Sequence, residues 1–415
     1  MTGKRICLVS PGHIASNPRL VKEADALQED GFAVRVVAGD VTPSVRPLDA
    51  TILARASWPV TKVGLGPRPL YLARRLWQEV ASRAHMIGGV RAALWAYSPV
   101  TGSLARAAAA QPADLYIAHG LAALPAAAWA ARRHRAKLGF DAEDDHVGEL
   151  ENTTENRAEI EIRRRIEACY LPQCQHLTAA SPGIARSYRD RYGVTMTPIL
   201  NVFPLAQAPS APPANRSHAA NGRLSVYWFS QTIGTGRGLE AFIRAMGRMH
   251  GWVTLSVRGS DFLGYSERLR SLAADVGVPD AIRFFPSAPP DEMARLAAHH
   301  DVGLASELST PPNHAICLSN KIFSYLLAGI PVLMSDTPAQ RELGIGLGEA
   351  ARVVNLADPV SVADVLETWA GDKQALAAAK CAAWHLAQTR FNWDIEKERL
   401  LTGVKITLSK QIGNC

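Results

Sequence analysis

Apolar residues along this chain come in short blocks that alternate between two spacings. Ile6 to Val9 is a compact apolar run closed by Pro11-Gly12, and from Pro18 onward Leu20, Val21, Ala24 and Leu27 recur at helical spacing. Gly31 stops that helix and Ala33 to Ala38 is the next apolar run, so the opening segment predicts one βαβ unit. The alternation returns as strand Leu115 to Ala118, helix Ala122 to Arg133 and strand Leu138 to Phe140. It restarts with strand Leu224 to Phe229, helix Leu239 to Met249 and strand Val253 to Arg258. Strand Ile282 to Phe285, helix Asp291 to His299, strand Val302 to Ala305, helix Asn320 to Leu327 and strand Pro331 to Met334 complete the series.

Strands that alternate with helices predict an α/β protein built on doubly wound, Rossmann-like parallel sheets. Between the two series, Pro204 to Gly222 is rich in Pro, Ala and Ser and has no apolar period, which marks a linker. The expected organisation is therefore a first domain over 1–203, a linker over 204–222, a second domain over 223–388 and a terminal segment over 389–415. Open parallel sheets bind ligands beyond the carboxyl ends of their strands, so two such sheets facing each other would bind in the crevice between them.

Composition supports folded, soluble domains: of 415 residues, 47% are hydrophobic and 20% charged. The formal charge of +7 favours a phosphorylated ligand or an anionic membrane face, and no nucleic-acid partner is required. Much of the basic excess lies in 58–97, where Lys62, Arg68, Arg74, Arg75, Arg83 and Arg91 are interleaved with Trp58, Tyr71, Trp77, Trp95 and Tyr97. That pattern fits a helix lying on a membrane surface, and equally a helical hairpin packed on the first domain. The longest apolar stretch, Leu121 to Ala131, is mostly Ala and contains Pro125, so membrane contact would be peripheral, at the inner face. Scattered cysteines without ligand spacing fit a reduced, cytoplasmic setting.

Candidate chemistry gathers at predicted strand ends. Gly234-Thr235-Gly236-Arg237-Gly238 joins a strand to a helix, where glycines admit a close ligand, free N–H groups favour an anion and Arg237 suits phosphate oxygens. A plain glycine-rich turn has the same residues. Ser319 is a candidate N-cap for the helix beginning Asn320-Lys321, a second anion-binding start, with Gly329 as its stop. His119 ends one strand and Asp141-Ala142-Glu143 ends the next, placing acid, base or hydroxyl-binding groups on one rim; a solvated loop is the alternative. No paired Cys or spaced His supports a metal site. Gly12 and Ser16-Asn17-Pro18-Arg19 follow the first strand, with Pro18 at a helix start and Asn17 and Arg19 able to face a ligand.

Taken together, these motifs resemble the retaining GT-B glycosyltransferases of glycosyltransferase family 4. The resemblance is carried by Ser16-Asn17-Pro18-Arg19 with Lys22-Glu23-Ala24, by His119, Phe140-Asp141-Ala142-Glu143 and Trp228 to Gly238. It continues through Ser319-Asn320-Lys321-Ile322-Phe323-Ser324-Tyr325 with Ala328-Gly329-Ile330-Pro331-Val332. It implies transfer of a sugar from a nucleoside diphosphate sugar, UDP or GDP type, to an acceptor hydroxyl with retention and without a metal or further cofactor. The acceptor would be a saccharide or lipid-linked group, in polysaccharide, glycolipid or natural-product glycoside synthesis. The implied donor residues are Gly234, Arg237, Gly238, Arg258, Glu307, Ser319, Asn320, Lys321 and Ser324; His119, Asp141 and Glu143 would be catalytic, and Gly12, Asn17 and Arg19 would line the acceptor side. Phe391 to Leu401 resembles the family's terminal helix crossing back to the first domain.

The chain departs from the family where paired glutamates usually hold the ribose, because the corresponding positions are Ile316 and Ser324, although Glu307 and Glu342 lie nearby. Arg237 also stands where lysine is frequent. That departure keeps open a catalytically silent nucleotide-sugar-binding or scaffolding protein. The doubly wound sheets alone would also suit an NAD-dependent oxidoreductase.

Overall fold

Short strands buried on both faces need crossover helices to cover them, and that requirement sets the architecture seen in the computed structural model. It describes residues 3–64, 97–98, 100–212, 222–249 and 251–410. The chain divides into two units, residues 1–200 with 397–415, and residues 201–396.

In the first unit the strands are β1 (Arg5–Ser10), β2 (Ala33–Asp40), β3 (Val60–Gly64), β4 (Leu115–His119), β5 (Lys137–Ala142), β6 (His176–Ala179) and β7 (Thr197–Pro198). They form one parallel sheet in the order β3-β2-β1-β4-β5-β6-β7. The order reverses between β1 and β4, so the loops after these two strands open on the point where such sheets take ligands. Asn17 starts the helix Pro18–Glu29: its side-chain oxygen accepts from the Leu20 N–H at 2.9 Å and Pro18 occupies the first turn. That helix buries Leu20, Ala24 and Leu27 against Ile6, Leu8, Val36 and Ile117.

Leu401 and Val404 of the terminal helix Trp393–Ser409 join the same core. The buried Lys137 ammonium donates to the carbonyls of Thr407 and Lys410 at that helix's end, and Lys405 pairs with Asp30 at 2.8 Å. A cation placed there satisfies carbonyls that have no partner within the helix.

In the second unit β8 (Leu224–Ile233), β9 (Val253–Asp261), β10 (Ile282–Phe285), β11 (Val302–Ala305), β12 (Val332–Ser335) and β13 (Ala351–Val354) form a parallel sheet in the order β10-β9-β8-β11-β12-β13. Its order reverses between β8 and β11. Trp228, Phe242, Leu255, Leu304 and Leu333 lie in its core.

Several elements differ from their sequence-based limits. β8 runs on to Ile233 through a bulge after Phe229, because Thr232 and Ile233 pair with Ser260 and Asp261 of an equally extended β9. The helix expected over Asp291 to His299 is a turn at Pro290–Glu292 followed by the short Met293–Ala297. Leu205, in the expected linker, donates its N–H to Asp394 at 3.0 Å, while 213–221 lie outside the described residues. Of the basic aromatic segment 58–97, residues 65–96 lie outside them too; at its described start Trp58 is buried and donates to Asp25 at 2.7 Å. No described helix is long and apolar enough to cross a membrane.

Close packing fixes one glycine in the second sheet. A Cβ on Gly303 of β11 would lie 2.2 Å from the Tyr325 ring, whose hydroxyl donates to the Leu304 carbonyl at 3.1 Å. Gly303→Ala should therefore destabilise the second unit by about 1–3 kcal/mol through overpacking. A lowered urea midpoint of the full chain is the expected result, and an unchanged midpoint would show that Tyr325 has room to move.

Candidate active site

The loop after β1 carries Gly12, His13 and Asn17 to the reversal point of the first sheet. His13 pins this loop: its Nδ1 lies 2.8 Å from Asp49 Oδ2, and its Nε2 lies 2.8 Å from the Thr42 backbone N–H. Asp49 in turn accepts from the Ala15 N–H at 3.0 Å. The loop thus delivers Asn17 and Arg19 in fixed positions.

Arg19 is buried, and its guanidinium takes both oxygens of the equally buried Asp141, Nε to Oδ2 at 2.6 Å and Nη2 to Oδ1 at 2.8 Å. Its third donor reaches the Ile199 carbonyl at 2.6 Å. Thr178 on β6 also donates to Asp141 Oδ1, at 2.5 Å. Burial by itself would raise the Asp141 pKa, but the Arg19 charge and these donors hold it well below the usual carboxylate range.

His119 closes β4 and is fully buried between carboxylates. Its Nε2 lies 3.2 Å from Glu23 Oε2; its Nδ1 lies 3.2 Å from Glu143 Oε1 and 3.6 Å from Asp141 Oδ2. Burial would push the ring toward neutrality, yet the Glu23 charge, with Glu143 and Asp141 behind it, pushes its pKa up to about 10. Asn17 donates to the same Glu143 oxygen at 2.5 Å. Glu143 is the partly exposed carboxylate of this group, at 28%.

His119, Asp141 and Glu143 each offer an atom within 4.8 Å of the others. Their lone pairs nevertheless face N–H and O–H groups: Arg19 and Thr178 on Asp141, Asn17 and His119 on Glu143. With Arg19 the three side chains form a hydrogen-bonded ion cluster.

In the second unit, the turn from β8 into the helix Leu239–Gly247 needs its glycines. Gly236 and Gly238 have φ of +73° and +71°, and a Cβ on Gly238 would lie 3.0 Å from the Ser306 carbonyl oxygen. Ser306 just beyond β11 then donates its hydroxyl to the Arg237 carbonyl at 2.6 Å. The next residue, Glu307, binds Lys321 Nζ at 2.7 Å. Residues 306–307 therefore hold the starts of two helices together, Leu239–Gly247 and Asn320–Ala328. Each start leaves backbone N–H groups without helical partners.

Five of the residues expected on the donor side have local partners. Lys321 is buried against Glu307 and 5.4 Å from the centre of the Trp228 ring. Burial would raise the Glu307 pKa, but the Lys321 charge lowers it. Ser319 occupies the N-cap position without a side-chain cap bond, because its hydroxyl accepts from Lys321 at 3.3 Å. Ser324 is buried, with its hydroxyl on the Asn320 carbonyl at 3.4 Å. Arg258 is held by Tyr227 at 2.9 Å and the Pro286 carbonyl at 2.8 Å, away from the glycine turn's own bonds. Sequence reasoning named Glu23 within the motif that follows Arg19 but gave it no role, and it missed Thr178 and Ser306, which carry no motif.

Residues 16–204 match the family described as glycosyl transferase 4-like domain. No curated protein matches the chain in sequence. Among solved structures, Anabaena HepE in complex with UDP and glucose superposes with a TM-score of 0.70 at 16% identity, covering 97% of this chain and 100% of that one. Sucrose-phosphate synthase from Thermosynechococcus elongatus gives 0.67 at 14% identity over 97% and 98%. A UDP-forming α,α-trehalose-phosphate synthase from Burkholderia xenovorans gives 0.65 at 14% identity over 98% and 100%. At these identities the likeness is one of fold, the two Rossmann-like parallel sheets of GT-B enzymes. Residues 16–204 thus match the glycosyl transferase 4-like domain, and the chain as a whole shares the two-sheet fold of the GT-B structures it superposes on.

Proposed function

We propose that this enzyme moves a sugar from a nucleoside diphosphate sugar, of the UDP type, to an acceptor hydroxyl with retention of configuration. The observation that carries the reading is the joining of two anion-receiving helix starts through Ser306 and Glu307. A diphosphate has two charged phosphoryl groups, and paired helix starts with Arg237 beside them are suited to both. UDP and glucose in HepE, which shares the fold, support a uridine donor. As the sugar leaves, negative charge grows on the diphosphate, and the amides and Arg237 would stabilise it without a metal.

The ribose is served differently from the family pattern. Ser324 has its hydroxyl on a backbone carbonyl, so Glu307 is the carboxylate this loop offers to the sugar hydroxyls. In the first unit Glu143, partly exposed and fixed by Asn17 and His119, accepts a hydrogen bond from a reacting or binding hydroxyl. Gly12, Asn17 and Arg19 shape that side, and the acceptor is a hydroxyl on a saccharide or lipid-linked carrier.

Arg237→Ala should lower release of UDP from the donor in the presence of acceptor by roughly 10²–10³-fold, the usual loss for one preorganised donor to developing charge. Unchanged turnover removes Arg237 from the diphosphate site. In a thermal-shift series, UDP and UDP-sugars should raise the melting temperature above GDP or ADP, by the equivalent of about 2.7 kcal/mol at a hundred times Kd. A larger shift with GDP overturns the uridine assignment, and donor binding without transfer to any acceptor identifies a non-catalytic binding protein.

A further inference from the structure

Glu23 lies in the middle of the helix Pro18–Glu29, where its neighbours at helical spacing are core residues, yet it is buried at 3% exposure. One carboxylate oxygen lies at ion-pair distance from His119 Nε2, 3.2 Å, without the alignment of a hydrogen bond; the other, Oε1, is buried without a hydrogen-bond partner. A buried carboxylate with one oxygen unsatisfied costs stability, which a glutamine or leucine there would spare. What the carboxylate adds in return is its charge beside the His119 ring.

We propose that Glu23 is a positioning residue: it holds His119 as an imidazolium, so that His119 presents Nδ1–H to Glu143 and fixes that partly exposed carboxylate in place. Carboxylates lie at ion-pair distance from both ring nitrogens, which favours a proton on each. Glu23 faces Nε2, and Glu143 and Asp141 face Nδ1, so a neutral ring would turn a lone pair toward a carboxylate on one side.

Every charged group facing the ring takes part in this balance. Arg19, on the same helix as Glu23, is committed to Asp141 by two hydrogen bonds. His176 on β6 is driven toward the neutral form by burial and adds no charge. Glu23 is thus the second carboxylate that matches the imidazolium, while Glu143, held on Oε1 by Asn17 and His119, keeps its exposed side for a hydroxyl.

The inference rests on the proposed function for its kinetic arm alone, and the test separates the two. The His119 imidazole is titrated by proton–nitrogen NMR in the full-length wild type, in Glu23→Gln and in the charge-retaining Glu23→Asp. In Glu23→Gln the ring should lose its proton at a pH lower by about one unit or more, since an adjacent opposite charge is removed. Transfer by that variant should then fall about tenfold per pH unit above the lowered pKa, while wild type stays flat across neutral pH. Glu23→Asp should keep the wild-type profile and guards against a mere folding defect in Glu23→Gln. An unchanged His119 titration, or a loss of activity equal at every pH, overturns the inference. A wild type without transfer at any pH overturns the proposed function instead, and the titration still decides the role of Glu23.

Discussion

The buried pair of Arg19 and Asp141 is the interaction on which the first unit's site depends. Three donors of one guanidinium join the first helix, the end of β5 and the Ile199 carbonyl. Taking either partner away would leave an uncompensated charge in the interior, at a cost of about 3–5 kcal/mol. The pair occupies both oxygens of Asp141 and all the reach of Arg19. What remains for His119 is therefore Glu23 on one side and Glu143 on the other. Charge balance in this shell, more than hydrophobic packing, decides which carboxylate can face outward.

The second unit solves a similar problem with different parts. Lys321 stands at a helix start where its charge would suit a bound anion, but it is buried against Glu307. The pair fixes the loop after β11, and Ser306 beside it fixes the glycine turn after β8. On the proposed function, the positive field offered to a donor would rest on backbone N–H groups and on Arg237, while Lys321 is paired with Glu307. A lysine counted from sequence as a ligand contact is, in its own unit, first a structural partner.

How far the fold could be read from sequence follows from where the forces are local. β10 and β11 match their expected limits because a short apolar run bounded by turn residues has few other uses. The short strands β6 and β13, four residues each, were not anticipated, since segments such as His176–Ala179 have too little pattern to separate them from a loop. β8 outran its apolar core because polar Thr232 pairs with Ser260, a contact set by another strand. The positions of His119, Asp141 and Glu143 on one rim were legible from strand order, but Glu23 was not. Only the packing of the first helix against the sheet brings it to His119.

Both sites then illustrate one consequence of placing ionisable groups at the ends of buried parallel strands. Such groups lose hydration, so each must find an opposite charge, and the chain supplies these from neighbouring elements rather than from adjacent residues. Arg19 and Glu23 come from one helix and reach β5 and β4, respectively; Glu307 comes from the loop after β11 and Lys321 from the start of the helix Asn320–Ala328. A side chain fixed by such long-range pairing cannot relax when a ligand arrives. The penalty for burying it is met during folding, so the site needs little reorganisation when charge develops on a substrate.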